Sequence, residues 1–274
     1  MEKQLCYACS SGSLIEAQRI LKENPELDIN SQVFFGWTPF SGACRYVHIE
    51  VVELLLDDER LDVNKPDIDG VTPLFYACEN GHIDIVDLLL NDERIDINQA
   101  NNFGETPFWI SCFQGNSDLV EIFLNDEREV DVNKGDDNGR SPFYIACEKS
   151  NIEVVKLLLN DKRVDINKAE NEESWTPFFS TCYQGDIEIV EEMLASEREV
   201  YINAKNSEGK TAIDTAREGE EEDRDEDWES EEQYENRIGN WTKIVELLES
   251  FEKNPNETRA RLRMKLGFAG KSFI

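Results

Sequence analysis

Cys6 and Cys9 form a C-x-x-C pair, the spacing at which thiolates hold zinc or exchange a disulfide. Zinc needs further ligands. No second cysteine pair follows, and the only histidines, His48 and His82, lie far along the chain. The remaining cysteines, Cys44, Cys78, Cys112, Cys147 and Cys182, follow Cys9 at steps of 35, 34, 34, 35 and 35 residues. Steps that regular give each cysteine the same place in successive copies of one unit. Stacked copies hold equivalent positions about 10 Å apart, the packing distance of helices, which is too far for a disulfide. A cysteine in such a slot packs as a small apolar residue. All seven are therefore expected to be structural, and reduced thiols suit the cytoplasm or the nucleus.

The carboxylates offer the other possible chemistry. There are 59 acidic residues against 28 basic ones, a net charge of −31. They fall on solvent-facing helix positions and turns, whereas acid–base catalysis needs pairs held in a dry cleft. The chain contains no phosphate-binding G-x-x-x-x-G-K-[ST] loop and no nucleophile elbow. Its acidic stretch lacks the EF-hand pattern and its ordering glycine. The expectation is a protein that is not an enzyme and uses no cofactor or metal. A surface this acidic disfavours nucleic acid and anionic membrane. It favours protein partners with basic or mixed basic and apolar segments, bound by a monomer. The N-terminus has no apolar signal core, and no apolar run reaches transmembrane length, so the chain is expected in the cytoplasm or nucleus.

The element that positions these residues is clearest in Asp69–Asn98, DGVTPLFYACENGHIDIVDLLLNDERIDIN. Asp69-Gly70 is a turn signal. Thr72 can cap a helix that Pro73 opens, with Leu74, Ala77 and Cys78 on its apolar face. Gly81 ends it. A second helix from about Ile83 carries Ile85, Val86, Leu89 and Leu90. A polar connection follows, with a short extended piece from Ile95 to Ile97. Neither helix is long enough to stand alone in water, so the pair must stack on copies of itself.

The copies are present. Thr38-Pro39-Phe40, Thr72-Pro73-Leu74, Thr106-Pro107-Phe108, Ser141-Pro142-Phe143, Thr176-Pro177-Phe178 and Thr211-Ala212-Ile213 recur at steps of 34, 34, 35, 35 and 35. The unit resembles the ankyrin repeat, whose signature T-P-L-H-x-A recurs about every 33 residues. The resemblance runs through Thr72, Pro73, Leu74, Ala77, Gly81, His82, Ile85, Val86, Leu89, Leu90 and Asn98 and covers most of the chain. It implies an all-α solenoid of about seven stacked helix-turn-helix repeats joined by short β-hairpin-like loops. His48 and His82 occupy the family's Gly-His slot, a structural position. Two departures stand out. The turn after the second helix reads Asn91-Asp92-Glu93-Arg94 in place of Gly-Ala, with Asn91 suited to a left-handed conformation. The family's histidine after Thr-Pro-Leu is absent.

The repeats start near residues 3, 36, 69, 101, 136, 171 and 206, within a repeat domain spanning 1–252. The first lacks the Thr-Pro start, as a terminal capping repeat does. The sixth has Ser174-Trp175 where the turn glycine belongs, so its tip is expected to be distorted. In the seventh, an acidic insertion over 218–237, net −10, separates a first helix from a second that resumes at Trp241. It reads as a solvated, mostly disordered loop. The tail over 253–274 is basic, net +5. It reads as a capping helix to about Leu266, docked through Leu262 and Leu266 and drawn electrostatically towards the acidic loop; the alternative is a free basic tail that binds an external acidic partner.

The resemblance also implies a site. Ankyrin proteins bind other proteins in the concave groove formed by first helices and hairpin tips. In the vacated histidine slot this chain places Phe75, Trp109, Tyr144 and Phe179 in four successive repeats. Phe113 and Tyr183 come one turn after Trp109 and Phe179. The tips add Phe35, Trp37, Phe103 and Trp175. Two readings stand at this point. The rings form an aromatic ladder for a partner segment, or they fill the space left by the lost histidine. The functional expectation is a non-catalytic interaction module or scaffold. The alternative is an acidic binder or chaperone of basic proteins that works by charge.

Overall fold

The computed structural model describes residues 1–220 and 230–268. The chain falls into two compact units, Met1–Asp137 and Asn138–Ile274. The described residues are helical and contain no strand, only an isolated bridge between Lys205 and Thr211.

The first unit holds four helix pairs: α1 Glu2–Ser10 with α2 Leu14–Glu23, α3 Pro39–Arg45 with α4 Ile49–Leu56, α5 Pro73–Glu79 with α6 Ile83–Leu90, and α7 Pro107–Gln114 with α8 Ser117–Asn125. First helices pack on first helices and second on second. Thr38, Thr72 and Thr106 each accept a hydrogen bond from the backbone N–H three residues on, with proline at the first helical position. The cap captures a donor that a short helix would otherwise leave bare. Cys9, Cys44, Cys78 and Cys112 are fully buried at the helix contacts.

The turn after each second helix departs from expectation. Asn91 has φ −77° and continues the right-handed helix, with its side chain donating to the Asp87 carbonyl. The segment from Ile95 to Ile97 belongs to no strand, and it buries both isoleucines. What closes the turn is an Asp-x-Arg clip. Arg94 chelates Asp92 and reaches back to the Leu56 carbonyl at 2.9 Å. Arg60 pairs with Asp58 and donates to the carbonyls of Pro25 and Leu27. Bidentate arginine supplies in the side chain what a left-handed glycine would supply in the backbone. The guanidinium holds the Asp58, Asp92 and Asp126 carboxyls below their ordinary range.

A second ladder runs beside the clips. Asn30 Nδ2 donates to the Arg60 carbonyl at 2.8 Å, and its Oδ1 accepts from Asp62 N at 2.8 Å. Asn64 does the same with Arg94 and Asp96, and Asn98 with Glu129 and Asp131. Each asparagine thus mimics a strand, pairing with both backbone groups of the following repeat. His48 and His82 add one more link. Their Nε2 atoms donate to the carbonyls of Ser10 and Arg45, both at 2.9 Å.

The second unit contains α9 Pro142–Glu148, α10 Ile152–Asn160, α11 Pro177–Gln184, α12 Ile187–Ala195, α13 Ala212–Glu220, α14 Glu231–Lys253 and α15 Pro255–Lys265. Ser141 and Thr176 cap as their counterparts do. Asn167 repeats the asparagine pairing with Glu199 and Tyr201. At the sixth tip Ser174 takes φ +58°, in the left-handed region that glycine occupies elsewhere, and the Glu170 carboxylate accepts three backbone N–H groups to hold it.

The acidic stretch is helical at both described ends. Residues 218–220 complete α13, and α14 begins at Glu231, ten residues before Trp241. A capping box between Ser230 and Gln233 starts it early. Residues 221–229, with Trp228, lie outside the described residues. Trp241 stands in for the histidine, and its Nε1 donates to the Tyr183 carbonyl at 3.1 Å. Tyr183 follows Cys182 as Ser10 follows Cys9 and Arg45 follows Cys44. Gly219 admits the indole, since a Cβ there would lie 2.5 Å from it.

The tail's helix α15 packs on α12 and α14 and buries Leu262, while Leu266 is half-buried. Its cations turn to the end of α12. Arg259 donates to the Leu194 carbonyl, and Arg263 to that of Ala195. Arg263 pairs with Glu197 and Lys265 with Glu191. Among the described residues these, and not the acidic stretch, are its ion-pair partners. The last carbonyls of a helix carry partial negative charge, which attracts these guanidinium groups.

Asn64→Ala removes two backbone links at once. It is expected to lower unfolding free energy by about 1–2 kcal/mol, read from the urea midpoint at unchanged m-value.

Candidate functional site

The ten aromatic residues expected to form a binding surface separate by burial. In the first unit Phe75 and Trp109 are 3% and 1% exposed. In the second, Tyr144 and Phe179 are 3% and 2% exposed. These four form core, because their slot is the third helical position, whose N–H is tied to the cap and whose side chain turns inward between helices. Space-filling is their role, and they present no ladder to solvent. Phe113 is half-buried and stacks on Trp109 at 5.5 Å.

The other rings reach the surface. In the second unit Trp175 is half-buried, 5.0 Å from Phe179 and 4.8 Å from the half-exposed Tyr183. Trp175 Nε1 is buried without an acceptor among the described residues. In the first unit Trp37 is half-buried and Phe103 is exposed.

Trp37 belongs to a network that sequence reading misses. Its Nε1 donates to the Tyr76 hydroxyl at 2.8 Å, and that hydroxyl donates to Asp67 Oδ2 at 2.5 Å. Asp67 Oδ1 accepts the N–H groups of Asp69 and Val71 and so shapes the tip. Burial and the Asp67 hydrogen bond push the Tyr76 phenol far up, which keeps it a donor. Arg45 lies over Trp37 and Tyr76, at 5.1 and 4.7 Å from the ring centres. Tyr46 meets Trp37 edge-on at 6.3 Å. Sequence spacing gives no sign that these residues converge.

The hairpin tips supply the second missed feature. Phe34 and Phe35 sit just before Gly36, Ile68 two residues before Gly70, and Phe103 just before Gly104. They are 55%, 74%, 64% and 58% exposed. Phe35 is held out by a left-handed backbone, φ +56°, at a strain of roughly 1–2 kcal/mol. The tips are joined by backbone and amide bonds. Gln32 donates to the Pro66 carbonyl at 2.7 Å, and Asn102 to those of Asp69 and Ile68 at 2.9 and 3.0 Å. The apolar side chains thus line one fixed edge. In the second unit the equivalent tip positions are Asn138, Glu172, Glu173, Ser207 and Glu208. Comparing these positions across repeats is the signal that the sequence offers.

Nothing in these contacts offers reactive chemistry. Burial pushes the Cys9 and Cys78 thiols up to about 12, and raises those of Cys44, Cys112, Cys147 and Cys182 as well. Thiols held neutral in this way are poor nucleophiles and poor ligands. Among the described residues no group of three His, Cys, Asp or Glu side chains is placed to hold a metal.

The chain matches a family model that describes ankyrin repeats (3 copies) twice, over residues 5–101 and 90–170. It is similar to the solved ankyrin repeat domain of human ASB11, at 22% identity and a TM-score of 0.63, over 77% of this chain and 90% of that one. That likeness concerns the fold alone. No curated protein sequence matches.

Trp109→Ala should cost about 3–5 kcal/mol, as truncation of a buried aromatic does. Phe103→Ala should stay within about 0.5 kcal/mol. Urea denaturation of the two variants checks the division between core and surface.

Proposed function

The chain belongs to the ankyrin repeat family, whose repeats generally mediate protein–protein interaction, and from that premise we propose a non-catalytic docking module for a protein segment. The segment lies along the hairpin-tip edge of Met1–Asp137, with Phe35, Trp37 and Phe103 as anchors and Phe34 and Ile68 beside them. Trp175 and Tyr183 of the second unit form a contact of their own. The observation that carries this reading is the exposure of apolar residues on three consecutive tips, held in place by hydrogen bonds, in a chain of net charge −31. A soluble protein rarely keeps such side chains together without a use for them. The surrounding charge favours a segment that mixes basic and apolar residues. The cytoplasm or the nucleus is the compartment that suits it.

A second reading is favoured by the charge alone: an acidic binder of basic proteins, acting without the tips. The two differ in salt dependence. On the docking reading, a basic and apolar peptide selected from a random library should lose about 30-fold in affinity in the Phe35→Ser, Phe103→Ser double variant, the loss of a typical hot spot, at unchanged melting temperature. Affinity that ignores these substitutions and collapses as salt is raised supports the charge reading instead.

A further inference from the structure

The clip that closes the turn after a second helix is complete in four repeats. Arg60, Arg94, Arg128 and Arg163 bond Asp58, Asp92, Asp126 and Asp161 through Nε and Nη2. The backbone N–H of each arginine donates to the same carboxylate, at 3.0, 2.9, 2.9 and 2.8 Å. In the sixth repeat the acid is missing. Ser196-Glu197-Arg198-Glu199-Val200 copies Asp126-Glu127-Arg128-Glu129-Val130 with one change, serine for aspartate. The backbone is of the same extended kind, φ −62° and ψ 160° at Ser196 against −66° and 135° at Asp126. Arg198 still reaches back, to the carbonyls of Asp161 and Val164 at 2.9 and 2.6 Å. Its N–H meets only the Ser196 hydroxyl, at 3.4 Å. Its Nε, which bonds the aspartate in the other four clips, bonds none of the described residues.

The tail brings more cations to the same place. Arg263 Nη1 lies 3.5 Å from the Ala195 carbonyl and 3.3 Å from the Glu197 carboxylate, and Arg259 donates to the Leu194 carbonyl at 3.2 Å. The residues on both sides of Ser196 thus hold an arginine of α15. The Ser196 hydroxyl donates to the Met193 carbonyl at 2.6 Å. That carbonyl also accepts the Ser196 N–H, so the hydroxyl can turn away without leaving it bare. Ser196 is half-buried, Glu197 and Glu199 are exposed, and residues 196–201 are neither helix nor strand. Acids one and three residues after a serine, on a segment free to extend, suit the basic substrate groove of a kinase. Ser207 offers no such reception, since its hydroxyl faces the Glu173 carboxylate at 2.8 Å.

We infer that Ser196 is a phosphorylation site for an acidophilic serine/threonine kinase, whose phosphate completes the fifth clip with Arg198 and ties α15 to the end of α12 through Arg263. In the step, Ser196 Oγ attacks the γ-phosphorus of a nucleoside triphosphate. The Oγ–P bond forms and the bond from that phosphorus to the β,γ-bridging oxygen breaks. The nucleoside diphosphate leaves, and the hydroxyl proton passes to the catalytic aspartate of the kinase. Phosphoserine carries about −1.5 to −2 charges and three acceptor oxygens, enough for both arginines. An anion at a helix C-terminus is ordinarily repelled. Asp126 and Asp161 already place one there, at the ends of α8 and α10, each neutralised by its arginine. The grip of the tail helix is thereby set by modification, independently of the tip edge in the first unit.

The test treats the full chain with casein kinase II and ATP and maps phosphate by mass spectrometry. Phosphate on Ser196 is expected, and phosphate only on other residues, such as Ser230, overturns the assignment. Amide hydrogen exchange over 256–265 should then slow about tenfold, the worth of one hydrogen bond to a charged group. Ser196→Ala treated alike should show no slowing, and Arg263→Gln should take up the phosphate without it. Unchanged exchange in the phosphorylated wild type, or equal slowing in Ser196→Ala, overturns the proposal. A readout that needs no kinase compares Ser196→Asp with the neutral Ser196→Asn. The aspartate should raise the urea midpoint above that of the asparagine, and Arg198→Gln should remove the difference. Equal midpoints for the two variants overturn the clip.

Discussion

Every helix from α1 to α12 has seven to ten residues, a length that does not persist in water. Each exists because the neighbouring repeat completes it. The completion is physical and specific: a threonine or serine oxygen on the third N–H, a fully buried cysteine at the helix contact, an asparagine amide on both backbone groups of the next turn. Removing any one link therefore weakens two repeats. This is the nearest-neighbour coupling that makes repeat proteins cooperative over a few units.

The departures from the family's pattern follow from that dependence. Where the turn glycine after the second helix is missing, an Asp-x-Arg clip spans the gap and also reaches the preceding repeat. Where the histidine link is missing from the last pair, Trp241 makes the same bond to Tyr183 from a helix that begins ten residues early. The backbone group to be satisfied stays constant while the side chain that satisfies it changes.

The fold is legible because its register is written in residues with one dominant use. Thr72-Pro73 can hardly be anything but a helix start, and a cysteine every 34 or 35 residues marks one packed slot. The site is less legible. Phe75, Trp109, Tyr144 and Phe179 stand out as a set, yet spacing does not say which side of a short helix its neighbours cover, and all four are core. Asn91 misleads because propensity favours a left-handed asparagine, whereas a clip beginning one residue later makes that conformation unnecessary. The Trp37, Tyr76 and Asp67 network joins residues from two repeats through hydrogen bonds, and no local pattern announces such a meeting. Phe35 is visible as a tip residue, but nothing in its type says that its backbone holds it outward.

The locked tips of the first unit also set a length scale. Neighbouring helices pack about 8–10 Å apart, and an extended polypeptide advances roughly 3.3 Å per residue. Phe35, Ile68 and Phe103, one to a repeat, are therefore graduations on a ruler. A strand laid along that edge meets one graduation about every third residue. Two residues in three would face elsewhere and be free to vary. Because hydrogen bonds between tips fix the interval, a sliding partner would find fit at discrete positions only, and a shift by one residue would lose every graduation together.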